Sequence, residues 1–160
     1  MQIDNSHFVD RLNIDCYAAD VKESLPRSIR TYSNNYGNNM FGHSNWEYIK
    51  EHIEDSEFSR LKDMLYEPIS PIACYVFYNF QQDRIARGSS SGDVQSVTDN
   101  SRAISSDYRM RIAWNLMVES NRDIARYLMM NKEIFEENLD YCDLFPRRSM
   151  FEYLNDFGIW

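Results

Sequence analysis

The pattern that most constrains this chain runs from Met110 to Phe135. Met110, Trp114, Met117, Asn121, Ile124, Leu128, Asn131 and Phe135 follow one another at spacings of 4, 3, 4, 3, 4, 3 and 4. Alternating steps of three and four keep side chains on one face of an α-helix, so the spacing predicts a seam about 25 residues and about 38 Å long. Ser105 or Ser106 can cap the helix, and Asp107 in its first turn suits the helix dipole. The two asparagines weaken the seam as a free coiled coil, so it is expected to pack along another helix of the same chain.

That second helix is announced by Ser70-Pro71. Serine is a preferred N-cap, and proline is harmless at the first helical position, where its N–H would have no partner anyway. Ile72, Ala73, Val76 and Phe80 form one stripe, with Tyr75 and Phe77 on other faces. A helix apolar nearly all round is a central one. It turns polar at Gln81 and is expected to end at Gly88. The predicted core is therefore a pair of helices, 71–87 and 105–135.

Around this pair the signals are weaker. Trp46, Tyr48, Ile49 and Ile53 begin an amphipathic stretch capped by Ser44 or Asn45, and Phe58, Leu61, Met64 and Leu65 continue it after a break at Asp55-Ser56; Pro68 ends it. Short helices are expected near 5–12 and 18–25, the latter stopped by Pro26. Residues 31–45, rich in Asn and containing Gly37 and Gly42, are expected to form an irregular loop whose Tyr32, Tyr36 and Phe41 lie against something. Residues 88–104 show no helical stripe and are expected to project as an arm, either a flexible loop or a short β-hairpin.

After Phe145-Pro146 the chain carries Phe151, Tyr153, Leu154, Phe157, Ile159 and Trp160. Six large apolar residues in ten are not a solvated tail: they fold back on the domain or insert into a neighbour, and the second is the favoured expectation. The organisation expected is one mainly α domain, a small helical bundle over 1–146 with an arm at 88–104, followed by an extended C-terminal interaction tail at 147–160. A chain of 160 residues with 43% hydrophobic and 14% aromatic residues can bury one such core. Eleven Tyr, nine Phe and three Trp suggest that some rings are kept for partners.

The formal net charge of −8 argues against sequence-independent nucleic-acid binding. Cys16, Cys74 and Cys142 are odd in number and widely spaced, which suits reduced thiols in the cytoplasm where the protein is made. The N-terminus lacks the pattern of a signal peptide, and the longest apolar run, 72–78, is too short to span a bilayer, so no membrane is expected. None of the standard catalytic, nucleotide or metal motifs occurs, so the chain is expected to be no enzyme and to carry no cofactor or metal. His7, His43 and His52 are read as surface or structural residues. Glu133, Glu137 and Asp140 would share one side of a helix, an arrangement shared by cation sites and ordinary solvated faces. Arg84, Arg87, Arg102, Arg109 and Arg111 cluster around the arm, as contacts to phosphate or to another subunit. Residues 101–132 hold five Arg and one Lys against three acids, and residues 133–160 hold seven acids against Arg147 and Arg148. Such polarity suits head-to-tail contact between copies, although solvated faces explain it almost as well.

From Leu61 to Pro146 the order of elements resembles the head–tail connector (adaptor ring) proteins of tailed bacteriophages. The resemblance is carried by Pro68-Ile69-Ser70-Pro71-Ile72-Ala73 leading into the aromatic helix Tyr75 to Phe80, and by the variable loop Gly88 to Ser106. It continues with the long Arg-, Trp- and Tyr-bearing helix from Asp107, and with Asn138-Leu139-Asp140 followed by Leu144-Phe145-Pro146. The ending is similar to versions in Bacteroidetes-infecting crAss-like phages. The resemblance implies a structural virion protein at the head–tail junction, a ring of about twelve copies beneath the portal protein with DNA passing through its channel. It also implies contacts of the tail with the portal protein, another connector or tail protein, or an adjacent subunit. The Asn-rich first 45 residues and the apolar run after Pro146 depart from the family pattern. The alternatives are a stand-alone helical adaptor or regulatory protein with a heterologous partner, and a small enzyme built on Glu133, Glu137 and Asp140.

Overall fold

The computed structural model describes residues 3–16, 18–67, 69–90 and 106–155, with side chains not described at 87–90 and 106–107. Every regular element among them is helical: α1 (Ala19–Phe41), α2 (His43–His52), α3 (Ser59–Tyr66), α4 (Pro71–Ser90), α5 (Ser106–Met130) and α6 (Lys132–Phe135), with short 3-10 turns at Asn5–His7, Asp10–Leu12, Ser56–Phe58 and Arg148–Phe151. The chain is a mainly α bundle, as the periodicity required.

The predicted centre holds. The Ser70 hydroxyl accepts a hydrogen bond from the Ala73 amide at 3.1 Å and donates to the Leu65 carbonyl at 2.7 Å, so one side chain starts α4 and closes the end of α3. Ile72, Ala73, Cys74, Val76, Phe77 and Phe80 are buried. The most extensive helix–helix contact joins α4 to α5, followed by α1 to α4. Tyr36 of α1 packs on Tyr75 of α4 (ring centroids 5.9 Å apart) and bonds Asn121 of α5, while Arg109 of α5 lies over Phe77 of α4. In the α5 seam Met110, Trp114, Met117, Asn121, Ile124 and Leu128 are all buried, as is Phe135 beyond it. The helix itself pauses at Asn131 and resumes as the single turn α6.

Four expectations are corrected. Residues 31–45 are not a loop; they continue α1 to Phe41 and open α2 at His43. Nor does Pro26 stop the first helix, since it sits inside α1. Val21, Leu25, Tyr36, Met40 and Phe41 are almost wholly buried on one stripe, and that burial outweighs the poor helix propensity of Asn and Gly. Third, neither Ser44 nor Asn45 caps α2, which is entered from Gly42 at φ +81°. Asn45 turns inward, its amide donating to the carbonyls of Phe41 and Asp140 and accepting from the Asp140 N–H, each at 2.8 Å. Finally, α4 runs past Gly88 to Ser90, because one glycine costs a helix only about 1 kcal/mol. The arm expected at 88–104 lies, from residue 91 onward, outside the described residues.

Candidate interaction surfaces

The end of the α4–α5 pair formed by the last turns of α4 and the first turns of α5 gathers arginines that the sequence singled out. Arg84 pairs with Asp20 of α1 at 3.4 Å and lies over the Phe80 ring. Arg109 donates to the Asn13 carbonyl and covers Phe77, with its guanidinium 5.4 Å from the ring centroid. Arg111 lies over the neighbouring Tyr108 at 5.3 Å. These cations are bound into their own bundle through aromatic faces and one surface ion pair, a setting in which guanidinium groups stack and bond at once. Beside them Ile85 and Tyr108 are 43% and 46% exposed. The side chain of Arg87 and all of Arg102 lie outside the described residues.

The opposite end of α5 carries a surface the sequence reading did not single out. Met129, Met130 and Ile134, 53%, 78% and 49% exposed, fall within six positions around the α5–α6 break. Glu133, Glu136 and Glu137 flank them, also exposed. The periodicity held a signal: these apolar residues fall off the buried seam, and a solvated helix end rarely needs three of them. Because α6 ends at Phe135, Glu137 and Asp140 lie beyond the helix, and the three carboxylates expected on one helical face do not form one. No group of three or more His, Cys, Asp or Glu among the described residues could hold a metal ion.

The segment after Pro146 divides. Residues 148–155 lie along α5, and the polar residues of that helix receive their backbone. The Trp114 indole N–H donates to the Glu152 carbonyl at 2.9 Å. Asn115 bonds both the N–H and the C=O of Leu154, at 2.9 and 3.2 Å. Asn121 donates to the Met150 carbonyl at 2.8 Å, and Arg122 to that of Phe151 at 2.8 Å. Met150 and Leu154 are 1% and 4% exposed. Leu154, expected at a partner surface, is therefore part of the chain's own core. Phe151 packs edge-on against Phe145, and Tyr153, 41% exposed, is covered on one face by the Arg122 guanidinium at 4.3 Å. The signal for folding back was the set of polar residues within and beside an apolar seam, which have no reason to be there unless a chain lies on them. Phe157, Ile159 and Trp160 lie outside the described residues.

Of the three cysteines, Cys74 is held quiet by its surroundings. Burial pushes the Cys74 thiol up to about 12, which keeps it protonated at neutral pH and removes it as a nucleophile. Cys142 is exposed and Cys16 partly buried. His52 stacks on Tyr48 with centroids 4.0 Å apart, and its Nδ1 is 2.9 Å from the Tyr48 carbonyl. No described helix is long and apolar enough to cross a membrane. No protein-family model, curated protein or solved structure matches the chain.

Proposed function

We propose that the protein is a structural assembly subunit that joins to further copies of itself in a ring, and that the ring is a head–tail connector of a tailed bacteriophage, seated on the portal protein and passing DNA through its channel. The observation that carries the assembly reading is the difference between the two ends of α5. One end presents Arg84, Arg109 and Arg111 with exposed Ile85 and Tyr108; the other presents exposed Met129, Met130 and Ile134 among Lys132, Glu133, Glu136 and Glu137. Two unlike patches on one chain favour a heterologous contact, and heterologous contacts close into rings when the rotation allows. Polarizable, flexible methionine side chains suit an adaptable docking surface. The connector assignment adds to this only the sequence likeness of the Pro68–Ala73 entry, the aromatic run Tyr75 to Phe80, the segment Gly88 to Ser106 and the Leu144-Phe145-Pro146 ending.

Native mass spectrometry of the protein alone and with purified portal rings, together with imaging of virions, tests the reading. The expected result is a closed oligomer, alone or on the portal template, and density for the chain at the head–tail junction. Met130→Glu should abolish that oligomer while leaving the monomer's thermal midpoint within about 1 °C, because an exposed substitution away from the core changes stability little. A strictly monomeric protein that is absent from particles would replace the connector by a stand-alone adaptor with a heterologous partner.

A further inference from the structure

Among the described residues, the exposed large apolar side chains are the two groups at the ends of α5, the arginine-covered Tyr153, and a further pair, Val9 and Ile69, 55% and 40% exposed. Val9 and Ile69 are far apart in sequence, yet both line one groove of about 510 Å³. It opens between the 3-10 turn Asp10–Leu12, the connection from α3 to α4 and the middle of α5. Leu12 and Leu116 add to its apolar walls, and Asp10 and Arg11 line it as exposed residues. Arg11 makes no hydrogen bond or ion pair among the described residues. A groove of this size with exposed apolar walls has the form of a surface that receives something.

The same molecule carries a projecting apolar surface that it cannot bring to its own groove. Leu116 lines the groove, and Met130 ends the same unbroken helix α5, which holds the two positions about 21 Å apart. A methionine side chain spans only a fraction of that distance. Nor does the Met129, Met130 and Ile134 surface suit pairing with itself. Three partly exposed side chains fall short of the about 800 Å² per partner that a stable flat interface buries. Pairing like with like would also bring two sets of exposed glutamates together.

We infer that the groove receives the α5–α6 end of a second copy of this chain. This rests on the assembly reading above, for which it names the surface that holds the neighbouring copy. Met130, 78% exposed, is the anchor. Its unbranched, polarizable side chain adapts to an irregular apolar pocket, and one well-seated anchor can carry most of the energy of a contact. Beside it Lys132 and Glu136 lie 4.0 Å apart, which leaves Glu133 and Glu137 to face Arg11. Lys132 is opposite in sign to Asp10, so both charges of the groove find a complement.

The test mixes two variants of the full chain, each with one surface spoiled. Ile69→Glu spoils the groove and keeps the methionine end; Met130→Glu does the reverse. The Ile69→Glu protein, with isotope-labelled methionine methyl groups, is titrated with unlabelled Met130→Glu protein to millimolar concentration. The expected result is a saturable shift of the Met129 methyl and Met130 methyl signals, and no shift when the unlabelled protein is the double variant Ile69→Glu/Met130→Glu. Adding Val9→Glu instead of Ile69→Glu to the unlabelled copy should abolish the shift equally, and adding Arg11→Gln should weaken the contact severalfold. All these positions are exposed, so each single variant should melt within about 1 °C of the parent. Methyl signals that stay still at millimolar partner overturn the groove, as does a shift that survives Ile69→Glu and Val9→Glu in the unlabelled copy. A shift lost only on Ile85→Glu in that copy overturns it too, and places the methionine end on the arginine-bearing surface. If the groove fails while native mass spectrometry still shows a closed oligomer of the parent chain, the assembly reading stands; if both are absent, it falls as well.

Discussion

Asn121 lies in the middle of an apolar seam with no exposure to solvent, yet it is among the best-partnered residues in the molecule. Its carbonyl accepts from the Tyr36 hydroxyl at 2.6 Å, and its amide donates to the Met150 carbonyl at 2.8 Å. Three segments far apart in sequence meet on one side chain. Burial also pushes the Tyr36 hydroxyl well above its ordinary pKa, so it remains a neutral donor. Asn121→Ala leaves a buried hydroxyl and a buried carbonyl unpaired, and should lower unfolding free energy by about 3 kcal/mol. Chemical denaturation of Asn121→Leu, Tyr36→Phe and the double variant measures the coupling: the double variant should be less destabilised than the sum of the singles. Strict additivity would show that the two groups do not depend on one another.

Among the elements, α1 departs furthest from its sequence signals. Asn34, Asn35, Asn38 and Asn39 around Gly37 are turn chemistry, yet the segment is helical because Tyr36, Met40 and Phe41 fill the core beside α4. Asn39 even turns its poor propensity to use by donating to the Tyr75 hydroxyl at 3.0 Å. Gly37 is there for space, since its Cα supports the Trp46 ring. Alanine would favour the helix by up to about 1 kcal/mol in isolation. In this protein Gly37→Ala should instead destabilise by roughly 2 kcal/mol through overpacking against the indole, read as a lowered thermal midpoint. A higher midpoint would mean that the indole does not sit over Gly37. Phe145, with a positive φ of 61°, is the counterpart at the other side of this corner: its N–H donates to the Met40 carbonyl at 3.0 Å, closing the end of α1.

For the whole molecule, the question is where the domain ends. One core cluster includes Ile3 and Leu12 at one extreme and Met150 and Leu154 at the other. Deleting residues 147–160 should therefore cost about 3–6 kcal/mol from the lost burial of Met150 and Leu154, and strand the side chains of Trp114, Asn115 and Asn121. Deleting only 156–160 should leave the helical circular dichroism and the melting transition in place while weakening assembly. If both truncations melt alike, residues 148–155 do not hold the fold. The sequence by itself determined the two central helices, the Ser70-Pro71 start and the buried seam of α5, because periodicity and capping are local properties that a short window contains. Only the tertiary structure decided that an asparagine-rich segment is a helix, that residues 148–155 lie on α5, and that the Trp46 ring packs over Gly37. Each of those depends on which distant residues meet, and the free energy of such contacts exceeds the local preferences that the sequence displays.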